Sequence, residues 1–494
     1  KINYGTSGLG GPQHIAGAVF EGENDFADSG FGSSKKPTLI VENAFYDPAN
    51  FSLNEVEWEE QNTTDIEKNI KLDLARDYDL AGHSAQVTFG GKLSRREKDN
   101  DTNAWVYEDF DNYGISDEQL LLSNFTKGTV HYGLGPFGPG ISAGAVKGLL
   151  GQLDQSEFYD EEQSQVNDFE MSEDINAAYL MHTLDVDDWR FIAGMRFEGT
   201  DFEAKGTGVE DGNFIPNDSK NDYDNWLPGL HARYALDAQT QVRAAWTNSV
   251  VRPSFEQLSP GFVIDGDEAE FGDPTLDPLE SSNLDLGIEH YLNQDGVVSA
   301  FVFYKDIQNF VYNTDLAGTG PWVAFDEAIT FANGDSADLY GLELAWQQKF
   351  SSLPAPWNGL LMGANATFSR SDATTESQGQ SRDIDLPFQS DSVGNLMLGW
   401  ENDKLSLRLA TNYTSAYLYE VESVADKAND QYVDDQTFVD FTARYSLTDD
   451  LQLSFEAQNI TDEHYYVYTG RSPYNAQYEE YGPTYKLGLT FTHF

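Results

Sequence analysis

A serine and several glycines in one stretch have the spacing of two catalytic motifs. Residues 140–144 read G-x-S-x-G, the strained strand-to-helix turn that exposes the serine nucleophile of many hydrolases. Gly133, Gly135 and Gly138 match G-x-G-x-x-G, the turn of dinucleotide-binding folds. No apolar strand precedes the serine, and Pro136 and the lack of a βαβ pattern argue against the second motif. We predict a flexible loop and no catalytic residue here.

Clustered carboxylates could bind calcium, which takes about six to eight oxygen ligands. The run Asp99-x-Asp101-x-Asn103 starts like a calcium loop but lacks the later glycine and glutamate, and more acids cluster at 154–162. Because the chain has 83 acidic residues, some carboxylates must lie close together, and paired-carboxylate glycosidase chemistry has little support. We favour a solvated acidic rim over a metal site. The weak calcium candidates are four acids of one loop, Asp265, Asp267, Glu268 and Glu270.

Histidine and cysteine chemistry has no support in the sequence. The eight histidines include no H-E-x-x-H motif and no close pair, so a catalytic zinc site is not predicted. Zero cysteines exclude disulfides, thiol nucleophiles and thiolate metal ligands. We expect no cofactor and no enzymatic activity.

A few cationic and aromatic residues in polar loops could contact a ligand. Arg252 ends a strand-like segment and precedes Pro253, which cannot donate to a strand ladder. Its alternative role, which we favour, is a structural ion pair with the acidic loop that follows. Aromatic rings and guanidinium groups in other loops could contact sugar faces or anionic groups. The candidate ligand contacts are Arg252, Trp322, Arg382, Arg471 and Tyr474.

Charge excludes one large class of partner. The chain has 29 Lys plus Arg against 83 Asp plus Glu, a net charge of −54. Binding to nucleic acid needs a basic surface that neutralises phosphates, so nucleic acid is not an expected partner. At 39% hydrophobic and 13% aromatic residues, the 494-residue chain is too apolar to be disordered. The sequence contains no run of about 18 apolar residues, so a membrane-spanning helix is not predicted.

Apolar residues recur at every second position in segment after segment, which indicates strands with unlike faces. In 405–409 the leucines alternate with Ser406 and Arg408, and 189–197 and 485–491 behave alike. Residues expected on an apolar, lipid-facing side include Leu405, Leu407, Leu409, Val439, Phe441 and Tyr445. Aromatics near strand ends, expected to form interfacial girdles, are Trp226, Trp246, Trp400, Tyr413 and Tyr417.

Short and long connections alternate along the chain. Tight, Asp- and Asn-rich turns are predicted near 184–188, 236–239, 292–296, 402–404 and 447–450. Longer polar loops are predicted near 203–221, 253–280, 313–336, 372–387, 419–432 and 468–480. We count thirteen strands from 170 to 494 and two or three more within 36–97, or about sixteen. Residues 1–35 are expected to be a loop or disordered lead-in, 36–494 the barrel, with a long extracellular loop at about 98–169.

Alternation alone does not distinguish a membrane barrel from a soluble sandwich or propeller. Short turns on one rim and long loops on the other are typical of an outer-membrane barrel. A sheet in lipid must also close on itself, because unpaired backbone groups are costly there. The sequence therefore predicts an all-β fold, an antiparallel transmembrane β-barrel.

Several separated motifs resemble the C-terminal barrel of TonB-dependent outer-membrane transporters. They are VRPSFEQLSPG at 251–261, the GDPTLDPLESSN run at 272–283, and the strand that ends in Tyr304-Lys305-Asp306-Ile307. Further similar segments lie at 339–350, 458–466 and 478–491, with barrel-like strands at 172–200. The resemblance covers 170–494 well and 36–169 loosely.

This resemblance implies a plug domain, a barrel of about 22 strands and energy from periplasmic TonB. Neither the plug nor its coupling box is recognisable, so we expect a partial barrel of about 16 strands whose first strand, near 36–45, does not pair with the last, at 481–494. Phe494 also falls out of phase with Phe491 and Leu489, unlike the usual terminal aromatic of such barrels.

The resemblance implies active import of a scarce solute across the outer membrane of a Gram-negative bacterium. An oligosaccharide is our first expectation and a ferric siderophore the second. Expected partners are outer-membrane lipid, TonB through the missing plug, the small solute and, as an option, a surface lipoprotein. The alternatives are a passive porin, a barrel adhesin or a secreted β-rich glycan hydrolase.

Overall fold

A computed structural model of the protein describes residues 2–7, 14–22, 30–31, 35–36, 39–41, 43–132, 135–292, 295–377, 380–421 and 427–492. In this part of the chain, seventeen strands form one meandering antiparallel sheet in which each strand pairs with the next. They are β1 (Ile2–Ser7), β2 (His14–Gly22), β3 (Ser52–Leu80), β4 (His83–Tyr107), β5 (Phe169–Val186), β6 (Trp189–Glu210), β7 (Asn213–Ala235), β8 (Thr240–Val251), β9 (Leu279–Tyr291), β10 (Gly296–Gln308), β11 (Ser336–Lys349), β12 (Leu360–Ser377), β13 (Ser392–Glu401), β14 (Leu405–Thr414), β15 (Gln436–Ser446), β16 (Leu451–Gln458) and β17 (Thr484–Phe491).

The strand count from 169 onward confirms the predicted thirteen, but the prediction for residues 1–35 was wrong. Those residues contain β1 and β2, which belong to the sheet, and the described part of 36–45 contains the short strand Leu39–Ile40 and part of a 3-10 helix. Small residues such as those in AGA at 16–18 hide the alternation of β2. No helix in the described residues is long and apolar enough to span a membrane.

The barrel is not closed. Among the described residues, β1 pairs only with β2 and β17 only with β16. The first and last strands therefore do not share a ladder, as predicted, although the first strand is β1 and not the predicted segment 36–45. β2 covers only the first part of β3, down to Glu60, and residues 61–80 of β3 pair with β4 alone. Phe494 lies outside the described residues, so its phase is not seen.

Short turns lie at one rim and long connections at the other. Two to ten residues join β3 to β4, β5 to β6, and each later odd-numbered strand to the next. The predicted loop at 203–221 was wrong, because β6 and β7 continue to a tight turn at Asp211 and Gly212, both with positive φ. The other five predicted loops correspond to the connections after β8, β10, β12, β14 and β16.

One face of the sheet is apolar. Residues opposite each other in an antiparallel ladder share a face, and Leu409 lies between Leu398 and Phe441. The same face holds the predicted lipid-facing residues of β14 and β15, and Leu487 and Leu489 of β17 are about two-thirds or more exposed on it. We call this the outward face and the polar opposite side the lumen face.

Aromatic residues lie at two heights on the outward face. Trp189 stacks with Phe191 and Tyr234 next to the short turns, with ring centroids 5.4 and 4.5 Å apart. Phe197 and Trp226, 4.9 Å apart, lie eight residues further along β6 and β7. Eight residues span about 27 Å of strand, or about 20 Å of depth for a tilted strand, which is close to the apolar band of a membrane barrel.

The long connection between β4 and β5, residues 108–168, is a folded unit rather than an open loop. It contains the helices Asp117–Leu120, Ala143–Leu150 and Glu161–Val166, 3-10 turns at Phe110–Tyr113, Leu122–Asn124 and Gln155–Glu157, and the strands Thr126–Tyr132, Gly135–Ile141 and Tyr159–Asp160. Its core includes Phe125, Val146 and Phe158 and extends to Phe51 and Val56. The preceding connection has 3-10 turns at Asn43–Tyr46 and Pro48–Asn50 and the short strand pair Gly30–Phe31 and Leu39–Ile40.

The remaining connections extend the main sheet and build one separate four-stranded sheet at the same rim. Strands Phe262–Asp265, Glu268–Phe271, Val311–Asp315 and Glu327–Asn333 extend the end of β6, starting with a parallel pairing of 208–210 to 262–264. Strands Tyr417–Glu420, Gln431–Val433, Tyr465–Thr469 and Asn475–Glu479 form a separate sheet, which we call the tyrosine sheet. A strand at Gln380–Ile384 pairs antiparallel with the last five residues of β12, and 3-10 turns lie at Gly320–Trp322 and Trp357–Gly359.

Candidate functional site

Arg252 lies on the lumen side in a network of buried polar groups. Its Nη2 donates to Glu198 Oε2 at 2.7 Å and to Thr200 Oγ1 at 2.9 Å, and Arg196 Nε donates to Glu198 Oε1 at 2.6 Å. The side chains of Arg252 and Glu198 are 18% and 11% exposed. Arg252 thus makes an ion pair, but its partner is on β6 and not in the acidic loop after it, so the predicted partner was wrong.

The loop that follows Arg252 folds inward over the lumen face. Phe255 packs 6.0 Å from Phe202, and the guanidinium of Arg96 lies 4.5 Å from the Phe255 ring centroid. Phe202 and Arg96 are on the lumen faces of β6 and β4, in register with the network of Arg252. Gly272 packs so closely on Ser259 that a Cβ would lie 2.5 Å from its carbonyl oxygen. Arg252 therefore holds the start of an inward-folded loop.

Trp322 is built into the sheet that extends β6. Its ring stacks on Phe271 at 4.7 Å with an interplanar angle of 23° and meets Phe325 edge-on at 4.9 Å. These rings pack on buried alanines, including Ala328. The indole therefore has a packing role at the loop rim and lies in a different loop from the other four candidates.

Arg382 is an internal residue of the loop region. Its Nη2 donates to Asp430 Oδ1 at 2.8 Å, and the two side chains are 17% and 3% exposed. In the part of the chain that the structure describes, Nε and Nη1 of Arg382 are buried without a hydrogen-bond partner. Burial and the Asp430 charge raise the pKa of the nearby Tyr432 phenol. Arg382 therefore has hydrogen-bonding capacity left inside the loops.

Arg471 and Tyr474, which lie three residues apart in one loop, contact each other. Arg471 Nη2 donates to Tyr474 Oη at 2.9 Å, and the guanidinium lies 5.1 Å from the ring centroid. Tyr474 is 55% exposed. Gly470 N donates to Asp430 O at 2.7 Å, which connects this turn to the partner of Arg382. Three of the five candidates thus share the region of the tyrosine sheet, whereas Arg252 and Trp322 lie elsewhere.

The tyrosine sheet itself was missed by the sequence analysis. Tyr432 and Tyr468 stack at 5.5 Å with an angle of 15°. The ammonium of Lys35 lies 5.1 Å from the Tyr466 ring centroid and forms an ion pair with Asp434. The nearby Lys36 forms an ion pair with Glu480, which holds the Glu480 pKa below its usual range. The signal was visible in the runs YLYE at 417–420 and YYVY at 465–468.

The calcium candidates form no ligand cluster among the described residues. Glu268 and Glu270 lie on one strand of a hairpin that turns at Gly266, and no group of three metal-ligating side chains exists in the described chain. The side chain of Asp265 lies outside the described residues. The carbonyl of Asp267 accepts N–H bonds from Asp326 at 2.8 Å and Glu327 at 3.3 Å, so this turn joins two loops.

The serine motif has a helix-capping role. Ser142 follows a strand and precedes the helix Ala143–Leu150, and its Oγ accepts the N–H of Ala145 at 3.3 Å. Its backbone, with φ −85° and ψ 101°, has no positive φ. The prediction of a flexible loop was wrong, because Ser142 lies between a strand and a helix. Ser142 is an ordinary helix N-cap and does not have the strained backbone of a hydrolase nucleophile.

Comparison with known proteins identifies the family to which this chain belongs. The family "TonB dependent receptor-like, beta-barrel" matches residues 4–460. The chain belongs to this family. No curated protein sequence matches the chain.

Solved structures of receptors share the fold at low sequence identity. The ferric-catecholate import receptor Fiu from E. coli K12 has a TM-score of 0.57 and 13% identity, covering 97% of this chain and 60% of that one. The siderophore receptor PiuA from Acinetobacter baumannii has a TM-score of 0.56 and 14% identity, covering 97% and 60%. The ferric yersiniabactin uptake receptor FyuA from Yersinia pestis has a TM-score of 0.54 and 14% identity, covering 97% and 61%. The chain thus spans about three-fifths of the length of these receptors.

Proposed function

We propose that the protein imports a scarce solute across the outer membrane of a Gram-negative bacterium and is not an enzyme. The observation that carries this proposal is the pairing of an apolar outward face with a polar lumen face onto which the loop after Arg252 folds. Family membership supports the same conclusion. TonB, acting through a plug domain, is the proposed source of energy, membrane lipid surrounds the barrel, and a surface lipoprotein is an optional further partner.

The loop region supports capture of the solute at the long-loop rim. Aromatic faces in the tyrosine sheet suit planar or ring-shaped groups, and the buried, unpaired N–H groups of Arg382 suit an acceptor oxygen. Import then proceeds past the inward-folded loop into the lumen. No step of this route needs covalent chemistry.

An oligosaccharide is our first candidate solute, and one feature of the lumen favours it. A row of three asparagines crosses β12, β13 and β14, namely Asn365, Asn395 and Asn412. Asn395 Nδ2 donates a hydrogen bond to Asn365 Oδ1 at 2.8 Å, and Asn412 Nδ2 donates one to Asn395 Oδ1 at 2.7 Å. Side-chain amides both donate and accept, which matches the hydroxyl groups of a sugar. A ferric siderophore is the second candidate, because Fiu, PiuA and FyuA are named for siderophores or their ferric complexes.

Growth of a deletion strain on a panel of carbon and iron sources tests the proposal. We expect a growth defect on one scarce source, restored by the wild-type gene and dependent on TonB. If the wild-type gene restores growth equally well in a strain that lacks TonB, the result would favour the alternatives of a passive porin or an adhesin. Uptake of a labelled oligosaccharide and of a labelled ferric siderophore is then measured in the Asn395→Leu variant, with Ser454→Leu elsewhere on the lumen face as the control. A loss of oligosaccharide uptake in Asn395→Leu alone would support the first candidate.

A further inference from the structure

The tyrosine sheet binds two ammonium groups of the chain itself, those of consecutive lysines in the connection between β2 and β3. The first belongs to Lys35, which forms an ion pair with Asp434 and lies 5.1 Å from the Tyr466 ring centroid. Asn475 Nδ2 donates to the Lys35 carbonyl at 3.2 Å, which fixes this segment on the sheet. A carboxylate and an aromatic face both attract a cation. We call Asp434 and Tyr466 the first ammonium site.

Lys36 occupies a second ammonium site of the same composition. Its ammonium forms an ion pair with Glu480 and lies 5.8 Å from the Tyr478 ring centroid. The Tyr478 hydroxyl donates to Glu480 Oε1 at 3.0 Å, so the tyrosine that contacts the ammonium also orients the carboxylate. A single surface ion pair contributes little to stability. The repetition of a carboxylate and a tyrosine ring at two positions of one sheet therefore indicates a surface that recognises ammonium groups.

The sheet's own part of each site is held in place, whereas the lysines are exposed. The carboxylate side chains of the two sites are 17% and 20% exposed, and the lysine side chains are 57% and 46% exposed. Tyr466 is buried, and its hydroxyl donates to the carbonyl of Ser472. The two sites are therefore built by the sheet, and the lysines can leave them without unfolding it.

The charge around the tyrosine sheet favours cations after the nearby cations are counted. The two segments that form the sheet and its turns, residues 417–435 and 462–480, contain ten acidic and two basic residues, with His464 neutral. Arg382, which pairs with Asp430, and the two docked lysines raise the cations to five against the ten acids. The potential at this part of the rim is therefore negative, which attracts cationic solutes and repels anionic ones.

We propose that the tyrosine sheet binds a primary ammonium group of the solute, and that Lys35 and Lys36 occupy this surface as an internal competitor until the solute displaces them. The carboxylate of each site accepts hydrogen bonds from the ammonium, and the tyrosine ring contacts its charge. This inference rests on the proposed import function for the identity of the ligand as the solute, and it extends that proposal to the chemical class of the solute, an amine.

Cadaverine and its diol analogue form a matched pair of probes, because the same carbon chain ends in ammonium groups in one and in hydroxyl groups in the other. Binding of each to the complete purified protein in detergent is measured by isothermal titration calorimetry. We expect cadaverine to bind at least about tenfold more tightly than the diol. The double variant Asp434→Asn with Glu480→Gln should weaken cadaverine binding about tenfold or more.

The internal competitor gives a second expectation of opposite sign. Replacing both lysines, Lys35→Gln with Lys36→Gln, should tighten cadaverine binding about threefold or more, because an occupant within the same chain lowers the apparent affinity for an external ligand. The matched control is the exposed ion pair of Lys220 with Glu203 on the hairpin of β6 and β7. Lys220→Gln and Glu203→Gln should each leave cadaverine binding unchanged.

Several results would overturn the inference. They are equal binding of the two probes, a lysine double variant that binds cadaverine no more tightly than the wild-type protein, or a loss in Glu203→Gln as large as in the acid double variant, which would indicate general attraction to the acidic rim. If the acid double variant fails to fold, Tyr478→Leu removes one ring and keeps both carboxylates, and full affinity in that variant also argues against the site. Because the measurement needs no transport, it can fail while the growth assay succeeds, and the reverse.

Discussion

The clearest test of the fold is a pair of arginine substitutions at adjacent residues of β14. Leu409 is on the outward face, 41% exposed, between Leu398 and Phe441. Ala410, the next residue, is on the lumen face opposite Asp440. Leu409→Arg should therefore place a charge in lipid, whereas Ala410→Arg should place it in the lumen beside a carboxylate.

The expected magnitude follows from the depth of Leu409. It lies four residues from Tyr413 and four from Leu405, which is opposite Tyr445, and both tyrosines are exposed on the outward face. Four residues are about 14 Å of strand or about 10 Å of depth for a tilted strand, so Leu409 is near the middle of the apolar band. An arginine there costs about 2–4 kcal/mol, or about a 30- to 700-fold decrease in the folding equilibrium constant. Ala410→Arg should change the free energy of unfolding by about 0.5 kcal/mol or less.

The assay is urea titration of the complete protein in phospholipid vesicles, with folding followed by the electrophoretic mobility of unheated samples. Outer-membrane abundance of the two variants in cells gives a second readout. Equal destabilisation by both substitutions would refute the assignment of faces, because it would mean that both sides of β14 are packed against protein or both face water.

Three further predictions concern the rim and the lumen. Arg252→Gln removes charge-assisted hydrogen bonds to a mostly buried carboxylate and should lower the free energy of unfolding by about 1.5–3 kcal/mol in the same titration, with partial recovery in a lysine variant; no change would contradict the ion pair. The pKa of Glu480 is lowered chiefly by its hydrogen bond from Lys36, so this link contributes stability above the ordinary carboxylate pKa and loses it as pH falls through the lowered value. The hydrogen-exchange protection factors of amides near Lys36, corrected for the intrinsic pH dependence of exchange, should therefore fall in acid, and pH-independent protection factors would count against the link. Val323→Cys, on a 69% exposed side chain of a long loop, should react with an impermeant thiol reagent on whole cells, whereas Asp449→Cys in a short turn should not, and the opposite pattern would invert the topology.

Alternation of apolar and polar residues was enough to predict the thirteen strands from Phe169 onward, but not β1 and β2. It failed where both faces of a strand are polar. The distal halves of β6 and β7 extend about ten residues beyond Trp226, and their sequence, residues 203–221, has no apolar face to reveal a strand. The same reason hid the short strands within the long connections, which pair with distant segments such as 208–210 with 262–264.

The candidate site was harder to predict than the fold because its contacts are non-local. Arg252 forms an ion pair, as favoured from the sequence, but its partner, Glu198, lies 54 residues earlier on a strand that is not adjacent in the sequence. Only the phase of Arg196, Glu198 and Thr200 on one face of β6 carries a signal for this network. Spacing along the chain could pair Arg471 with Tyr474, three residues apart, but not Arg382 with Asp430.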